Sequence, residues 1–272
     1  MGGFAPIFDA HDAWIENFVA NFQGELDGMV AAASARVSGL LRARLALDGD
    51  RLARTAGNQA VLRNIDTMFM DAMSRAGFDH LRAEFVAQFP GQYTYFEQII
   101  EQISATLKRP LVAVLTNADE AVLSSFQLSA SDGLSAVVEG VAAAAKRKAM
   151  LSVGALKFGD LVDTIATTFT RATGEATTLG ATSTSMFFRT MTSQAFGAIE
   201  RTAPKGAVRY QYDGPKDKLT RPYCERMLAR SRRAPLTRAQ IEQTDNGQLP
   251  NPFLTCGGYN CRHQWIITEI KD

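Results

Sequence analysis

Between Ile15 and Leu40 the apolar residues Ile15, Phe18, Phe22, Leu26, Met29, Ala33, Val37 and Leu40 succeed one another in steps of 3, 4, 4, 3, 4, 4 and 3. A strand would repeat every two residues, and a heptad helix would alternate 3 and 4. The eleven-residue repeat instead averages about 3.67 residues per turn, close to an undistorted helix. It predicts one long, nearly straight amphipathic helix from about Asp9 to Leu47. Few folds accommodate such an element at the start of a chain of 272 residues. The expectation is therefore a mainly α protein, with an elongated helical N-terminal region.

The residues that follow continue in helical language. Asp48-Gly-Asp50 stops the first helix and offers an N-cap for a second, about Arg51 to Ser74. Gly77 and Pro90-Gly91 punctuate shorter helices around Leu81–Phe89 and Tyr93–Leu107. Pro110 suits the first turn of another, where its missing N–H is not needed. Asn117-Ala-Asp119 and Ser129-Ala-Ser131-Asp132 read as further breaks with caps. Ala142–Ala145 followed by Lys146-Arg147-Lys148 reads as a helix ending in positive charge, complementing its macrodipole. His11 and His80 have no ligand-like neighbours and read as surface or core histidines.

Eleven threonines lie between Thr164 and Thr192, interleaved with Leu161, Ile165, Phe169, Leu179, Met186, Phe187, Met191 and Phe196. Threonine is a poor helix former alone, so a helix here needs tertiary support. The apolar spacing suits a period of 3.6 better than 2, and predicts a helix from about Leu156 to Thr202, with Gly174 or Gly180 as places to break. Pro204-Lys-Gly206 ends it. We expect the domain boundary there, between a helical region (1–204) and a small α+β module (205–272).

In that module Val208-Arg-Tyr-Gln-Tyr212 alternates like a half-buried strand, and Asp213-Gly-Pro215 is a turn. Arg221 to Arg232 forms a short helix carrying Cys224. Thr237 with Gln240 three residues on is a capping box for a helix to Gln243, and Asp245-Asn-Gly247 is turn chemistry. Arg262 to Ile270 reads as a closing strand that pairs with 208–212.

The module also concentrates the reactive chemistry. All three cysteines, Cys224, Cys256 and Cys261, fall there with His263. On a strand Cys261 and His263 share a face, and Gly257-Gly258 lets the chain fold back to bring Cys256 toward Cys261. The three thiolates of Cys224, Cys256 and Cys261 with the imidazole of His263 form a soft donor set suited to tetrahedral zinc, and Asp213 or Asp217 is an alternative to His263. The spacing C-x31-C-x4-C-x-H matches no common paired-knuckle pattern. Buried thiols without metal, or a Cys256–Cys261 disulfide formed on oxidation, remain open readings. A zinc ion bound by four protein ligands would be structural, stapling a module with little core.

Charge is uneven: residues 201–272 hold 13 Lys+Arg against 7 Asp+Glu, whereas the chain as a whole carries +1. Arg221, Arg226, Arg230, Arg232 and Arg233 are candidate contacts for phosphate or DNA, or else a solvated helix face. We find no HExxH, GxSxG or glycine-rich phosphate loop and assign no catalytic residue. No apolar run is long enough for a bilayer, no secretory signal is evident at the N-terminus, and three cysteines without one point to a reducing compartment.

The segments Tyr212-Asp-Gly-Pro215, Asp217-Lys-Leu-Thr-Arg-Pro-Tyr-Cys224, Asn246-Gly-Gln248 and Cys256-Gly-Gly-Tyr-Asn-Cys-Arg-His-Gln-Trp265 together resemble the C-terminal module of the phage Mu F-like minor head proteins, also called head morphogenesis proteins. The elements occur in the family's order over about a fifth of the chain. Many relatives close the last segment as His-Pro-Asn-Cys-Arg-Cys, whereas here it reads Gly-Tyr-Asn-Cys261-Arg-His263. The resemblance implies a low-copy virion protein of a tailed bacteriophage, made in the host cytoplasm and packaged inside the capsid or at the portal vertex. Its implied partners are portal or other head and neck proteins, packaged DNA and copies of itself, and its implied roles are head assembly, DNA packaging or ejection. The basic tail and the Cys/His cluster leave two other classes open. One is a metal-dependent nuclease or toxin-like effector, the other a non-enzymatic DNA-binding protein.

Overall fold

The computed structural model describes residues 4–108, 117–152 and 157–271, and the chain in it is mainly helical with a small α+β C-terminal region. The expected start of a helix at Pro110 lies outside the described residues, as does Leu156. Helix α1 spans Ala5–Arg44, followed by a miniature hairpin, β1 (Leu47–Asp48) and β2 (Arg51–Leu52). Helices α2 (Ala56–Arg63), α3 (Ile65–Arg75) and α4 (Phe78–Ala87) follow. A 3-10 turn over Phe89–Gln92 leads into α5 (Tyr93–Leu107). Two long helices come next, α6 (Asn117–Leu151) and α7 (Phe158–Thr202). The C-terminal region is β3 (Val208–Asp213), α8 (Pro222–Arg233), α9 (Arg238–Glu242), α10 (Pro252–Thr255) and β4 (Gln264–Ile270).

The long first helix forms as its repeat requires, with one adjustment. Its buried stripe is Phe22, Leu26, Val30, Ala33, Val37, Leu41 and Leu45, while Met29 and Leu40 are only half-buried. The eleven-residue spacing survives (Phe22 to Ala33, Leu26 to Val37), but the face is turned by one residue at two places. The second helix does not start at Arg51. Asp48-Gly-Asp50 is the hairpin turn, with Gly49 at φ +63°, and Leu47 pairs with Leu52. Asn58 locks this arrangement: buried on α2, it donates to the carbonyls of Ala46 (2.8 Å) and Ala53 (2.7 Å) and accepts from the Ala46 N–H (2.8 Å). Thr55, extended at φ −112°, caps α2 by accepting from the Asn58 N–H. The chain breaks again at Asn64 before α3.

Two expected interruptions are absent. Ser129–Asp132 lies inside α6, where Ala130, Leu134, Val138, Ala142, Ala145 and Ala149 form one buried stripe whose packing outweighs the local preference of serine and aspartate for caps. Helix α7 runs through both Gly174 and Gly180. At Gly180 a Cβ would come 3.2 Å from the Phe85 ring, so this glycine permits close packing. Burial of Leu161, Ile165, Phe169, Phe187, Met191 and Phe196 keeps the threonine-rich segment helical, and the hydroxyls of Thr164, Thr168 and Thr192 bond back one turn to the carbonyls of Asp160, Thr164 and Phe188 at 2.7–2.8 Å.

The chain divides into two compact units, each assembled from separated stretches. One comprises Phe18–Ala87 and Leu128–Gly180; its core holds Phe69 stacked on Phe169 (3.8 Å between centroids) and Phe22 against Phe85 (5.1 Å). The other comprises Met1–Asn17, Gln88–Gln127 and Ala181–Asp272. The division therefore differs from the boundary expected at residues 204/205. A two-stranded ribbon with short helices buries too little on its own, and β3 completes its core on the helices: Tyr210 meets Phe196 of α7 at 5.7 Å and Phe253 of α10 at 5.0 Å. Arg238 lies 3.8 Å over the Phe253 ring and bonds Glu200 (2.8 Å) and Ser193 (3.0 Å) of α7. The ribbon pairs β3 with β4 antiparallel, Tyr212 opposite Trp265, with a bulge at Arg209/Tyr210.

Candidate metal centre

Within the second unit, three of the four expected ligands converge. Cys224 sits in the first turn of α8, where Pro222 needs no N–H partner. Cys261 and His263 lie in the irregular segment leading into β4, so a strand is not what brings them together. Cys224 Sγ is 3.8 Å from Cys261 Sγ, which is 3.8 Å from His263 Nδ1. The three ligand atoms lie within 4.8 Å of one another, and all three side chains are buried. This group can hold a metal ion.

The loop that delivers Cys261 is shaped by backbone that only certain residues allow. Cys256 and Asn260 adopt positive φ (51° each), and Gly258 sits at +93°. At Gly257 any Cβ would collide with Cys224 Sγ and approach Cys261 Sγ to 3.0 Å, while its N–H donates to Cys261 Sγ at 3.1 Å. Gly214 is equally confined, since a Cβ there would meet the His263 ring at 2.8 Å. Asn246 accepts from the N–H groups of Gln248 and Leu249 and donates to the Cys256 carbonyl; Gln248 in turn accepts from Tyr259 N–H.

Cys256 departs from expectation. It is fully buried, yet its thiol lies outside the mutually close group, and burial pushes it up to about 12. All three cysteines are free, and the close sulfur pair is Cys224–Cys261 rather than Cys256–Cys261. The alternative ligands are also committed elsewhere. Asp217 accepts on both carboxylate oxygens from Nη2 of Arg262 (2.8 and 2.7 Å) and on one of them from Leu219 N–H. Burial raises the carboxyl of Asp213, which is not part of the group. In the close pair, the hydrogen bond from Cys224 holds Cys261 well below the usual thiol range, helped by His263 and Arg189, and the same bond pushes Cys224 up.

Two residues missing from the sequence reading complete the site. The hydroxyl of buried Tyr212 stands 3.6 Å from Cys224 Sγ and 3.5 Å from Cys261 Sγ, and its ring lies parallel to His263 (4°, 5.2 Å). Arg189 of α7 is buried beside them and donates to the Cys261 carbonyl; no carboxylate is ion-paired with it among the described residues. The signal for Tyr212 was its inward place on β3, and for Arg189 a charge inside the apolar run after Phe187-Phe188. His263 Nε2 is buried without a hydrogen-bond partner.

A cleft on this unit is lined by His11, Asp12, Phe188, Arg189, Arg262 and Gln264 among others. His11 is a core histidine, bonded to Gln92 (3.1 Å) and stacked on Phe188, whereas His80 is exposed beside Glu84. Burial lowers His11 to about 4 and raises Asp12 to about 7. Of the arginines expected to meet phosphate, Arg221 is half-buried and donates to the Gly257 carbonyl (2.9 Å), a structural task. Arg226, Arg230, Arg232 and Arg233 are exposed on α8. No helix among the described residues is long and apolar enough to cross a membrane.

The fold and site thus define a mainly helical protein whose small α+β region closes around a buried Cys/His group. No family model, no curated protein and no solved structure matches the chain.

Proposed function

We propose that this chain is a structural minor head protein of a tailed bacteriophage, bound at the portal vertex or inside the capsid, with its C-terminal region stapled by zinc. The observation that carries this reading is the interlocking of the segments that resemble the Mu F-like module. Asp217 pairs with Arg262, Arg221 with the Gly257 carbonyl, Asn246 with the Cys256 carbonyl, Gln248 with Tyr259 N–H and Cys224 with Cys261. Segments separated by up to 45 residues in sequence meet at one place, which supports reading them as a single signature rather than chance matches. Two thiols and an imidazole favour zinc among common divalent ions. Burial of all three ligands supports a structural task over a catalytic one.

Purified virions should contain the chain at low copy number, detected by mass spectrometry. Its absence from particles, together with normal heads forming without it, would remove the assignment. A contact with packaged DNA is a second component of the reading, favoured by the four exposed α8 arginines, none of which is ion-paired among the described residues.

A further inference from the structure

Four separations in the group around Cys261 are close to those between the ligands of a tetrahedral zinc ion. Zinc–ligand bonds of about 2.3 Å to sulfur and 2.0–2.2 Å to nitrogen or oxygen, opened at the tetrahedral angle, place two sulfurs about 3.8 Å apart and sulfur about 3.5 Å from nitrogen or oxygen. The measured separations are 3.8 Å for Cys224 Sγ to Cys261 Sγ and 3.8 Å for Cys261 Sγ to His263 Nδ1. The Tyr212 hydroxyl is 3.6 and 3.5 Å from the two sulfurs. We propose that Tyr212, through its phenol oxygen, is the fourth ligand of the metal centre, completing Cys224, Cys261 and His263 where Cys256 was expected.

Three features fit this assignment. Cys256, although fully buried, lies outside the group of mutually close ligand atoms. Tyr212 is held in place by strand pairing opposite Trp265 and by its N–H donating to Ser231 Oγ (2.9 Å). Charge also balances. With a divalent ion bound, two thiolates, a phenolate and a neutral imidazole would leave the centre at −1, each proton not already lost from the thiols and the phenol passing to solvent. Arg189, buried, bonded to the Cys261 carbonyl and sharing a cleft with Asp12, supplies a positive charge beside these ligands. A buried cation is favoured by nearby negative charge of this kind.

The proposal rests on the zinc staple, and the test separates the two. The full-length protein is loaded with zinc under reducing conditions, and X-ray absorption at the zinc edge counts the sulfur ligands. Two sulfurs with two lighter ligands are expected. Tyr212→Phe, which preserves the ring packing, should weaken zinc binding at least tenfold in competition with a chromophoric chelator. Cys256→Ser should leave the affinity within about threefold and the spectrum unchanged. Three sulfurs in the wild type, or Tyr212→Phe with undiminished affinity, would overturn the assignment while leaving the staple intact. A wild-type protein that binds no zinc would overturn both.

Discussion

At the scale of single residues, the centre depends on side chains that are missing as much as on those present. Gly257 leaves room for two sulfurs, so Gly257→Ala should shift the loop at an overpacking cost of about 1–3 kcal/mol and lower zinc affinity, read by urea unfolding and chelator competition. His11 carries a different prediction. Its folded value of about 4 lies below the roughly 6.5 of an unfolded histidine, so the folded state binds fewer protons. The stability it contributes is complete above about pH 6.5 and is lost as pH falls toward 4, about 3 kcal/mol in all. His11→Gln should flatten the stability profile over that window, measured by urea titrations at successive pH. The neighbouring Asp12 works in the opposite sense: raised to about 7, it favours the folded state while protonated and loses that contribution as pH rises from about 4 through 7. Asp12→Asn should therefore gain most over the wild type near pH 8. Neither effect is legible in the sequence, because both follow from burial by residues remote along the chain.

At the scale of elements, local chemistry was largely readable and tertiary chemistry was not. The Thr237–Gln240 capping box forms as its spacing requires, with Thr237 Oγ1 accepting from Gln240 N–H and Gln240 Oε1 from Thr237 N–H. Thr237→Ala should cost about 1 kcal/mol, seen as a lower urea midpoint with an unchanged slope. The β3–β4 pairing and helix α7 were equally legible, the first from alternation and the second from the 3.6-residue spacing beneath its threonines. The hairpin at 47–52 was not, because it depends on Asn58, a buried polar side chain that satisfies backbone groups no local pattern links to it. The arginines at and along α8 divide between two tasks that their run blurs together: Arg221, at the N-cap, bonds the Gly257 carbonyl in the loop between Cys256 and Cys261, while Arg226, Arg230, Arg232 and Arg233 face solvent. Replacing these four with glutamine should reduce DNA affinity and flatten its dependence on salt, with helicity retained. Salt-independent binding would exclude a phosphate contact.

At the scale of the whole molecule, the fold class was legible in the sequence, and Cys224, Cys261 and His263 come together in a group that could hold a metal, but the contact-based division of the chain was not foreseen. Composition changes at residue 204, but the apolar faces that complete the C-terminal core include one on the other side of that boundary, that of Phe196 on α7. A metal that binds only the folded state at a thousandfold excess over its dissociation constant stabilises by about 4 kcal/mol. Chelation under reducing conditions should therefore accelerate amide exchange in β3, α8 and β4 and leave residues 18–87 unchanged, followed by exchange mass spectrometry.

The interleaved second unit has a consequence for biosynthesis. Its first stretch ends at Asn17 and its last begins at Ala181. The opening turns of α1 thus leave the ribosome long before the segment carrying Cys261 and His263 exists. At about 5–20 residues per second the wait is on the order of ten to fifty seconds. During that interval Phe8 and His11, buried in the finished protein, have no finished core to enter. The unit closes only once β4 has been made, so the synthesis of that strand, rather than the order of the helices, times its folding.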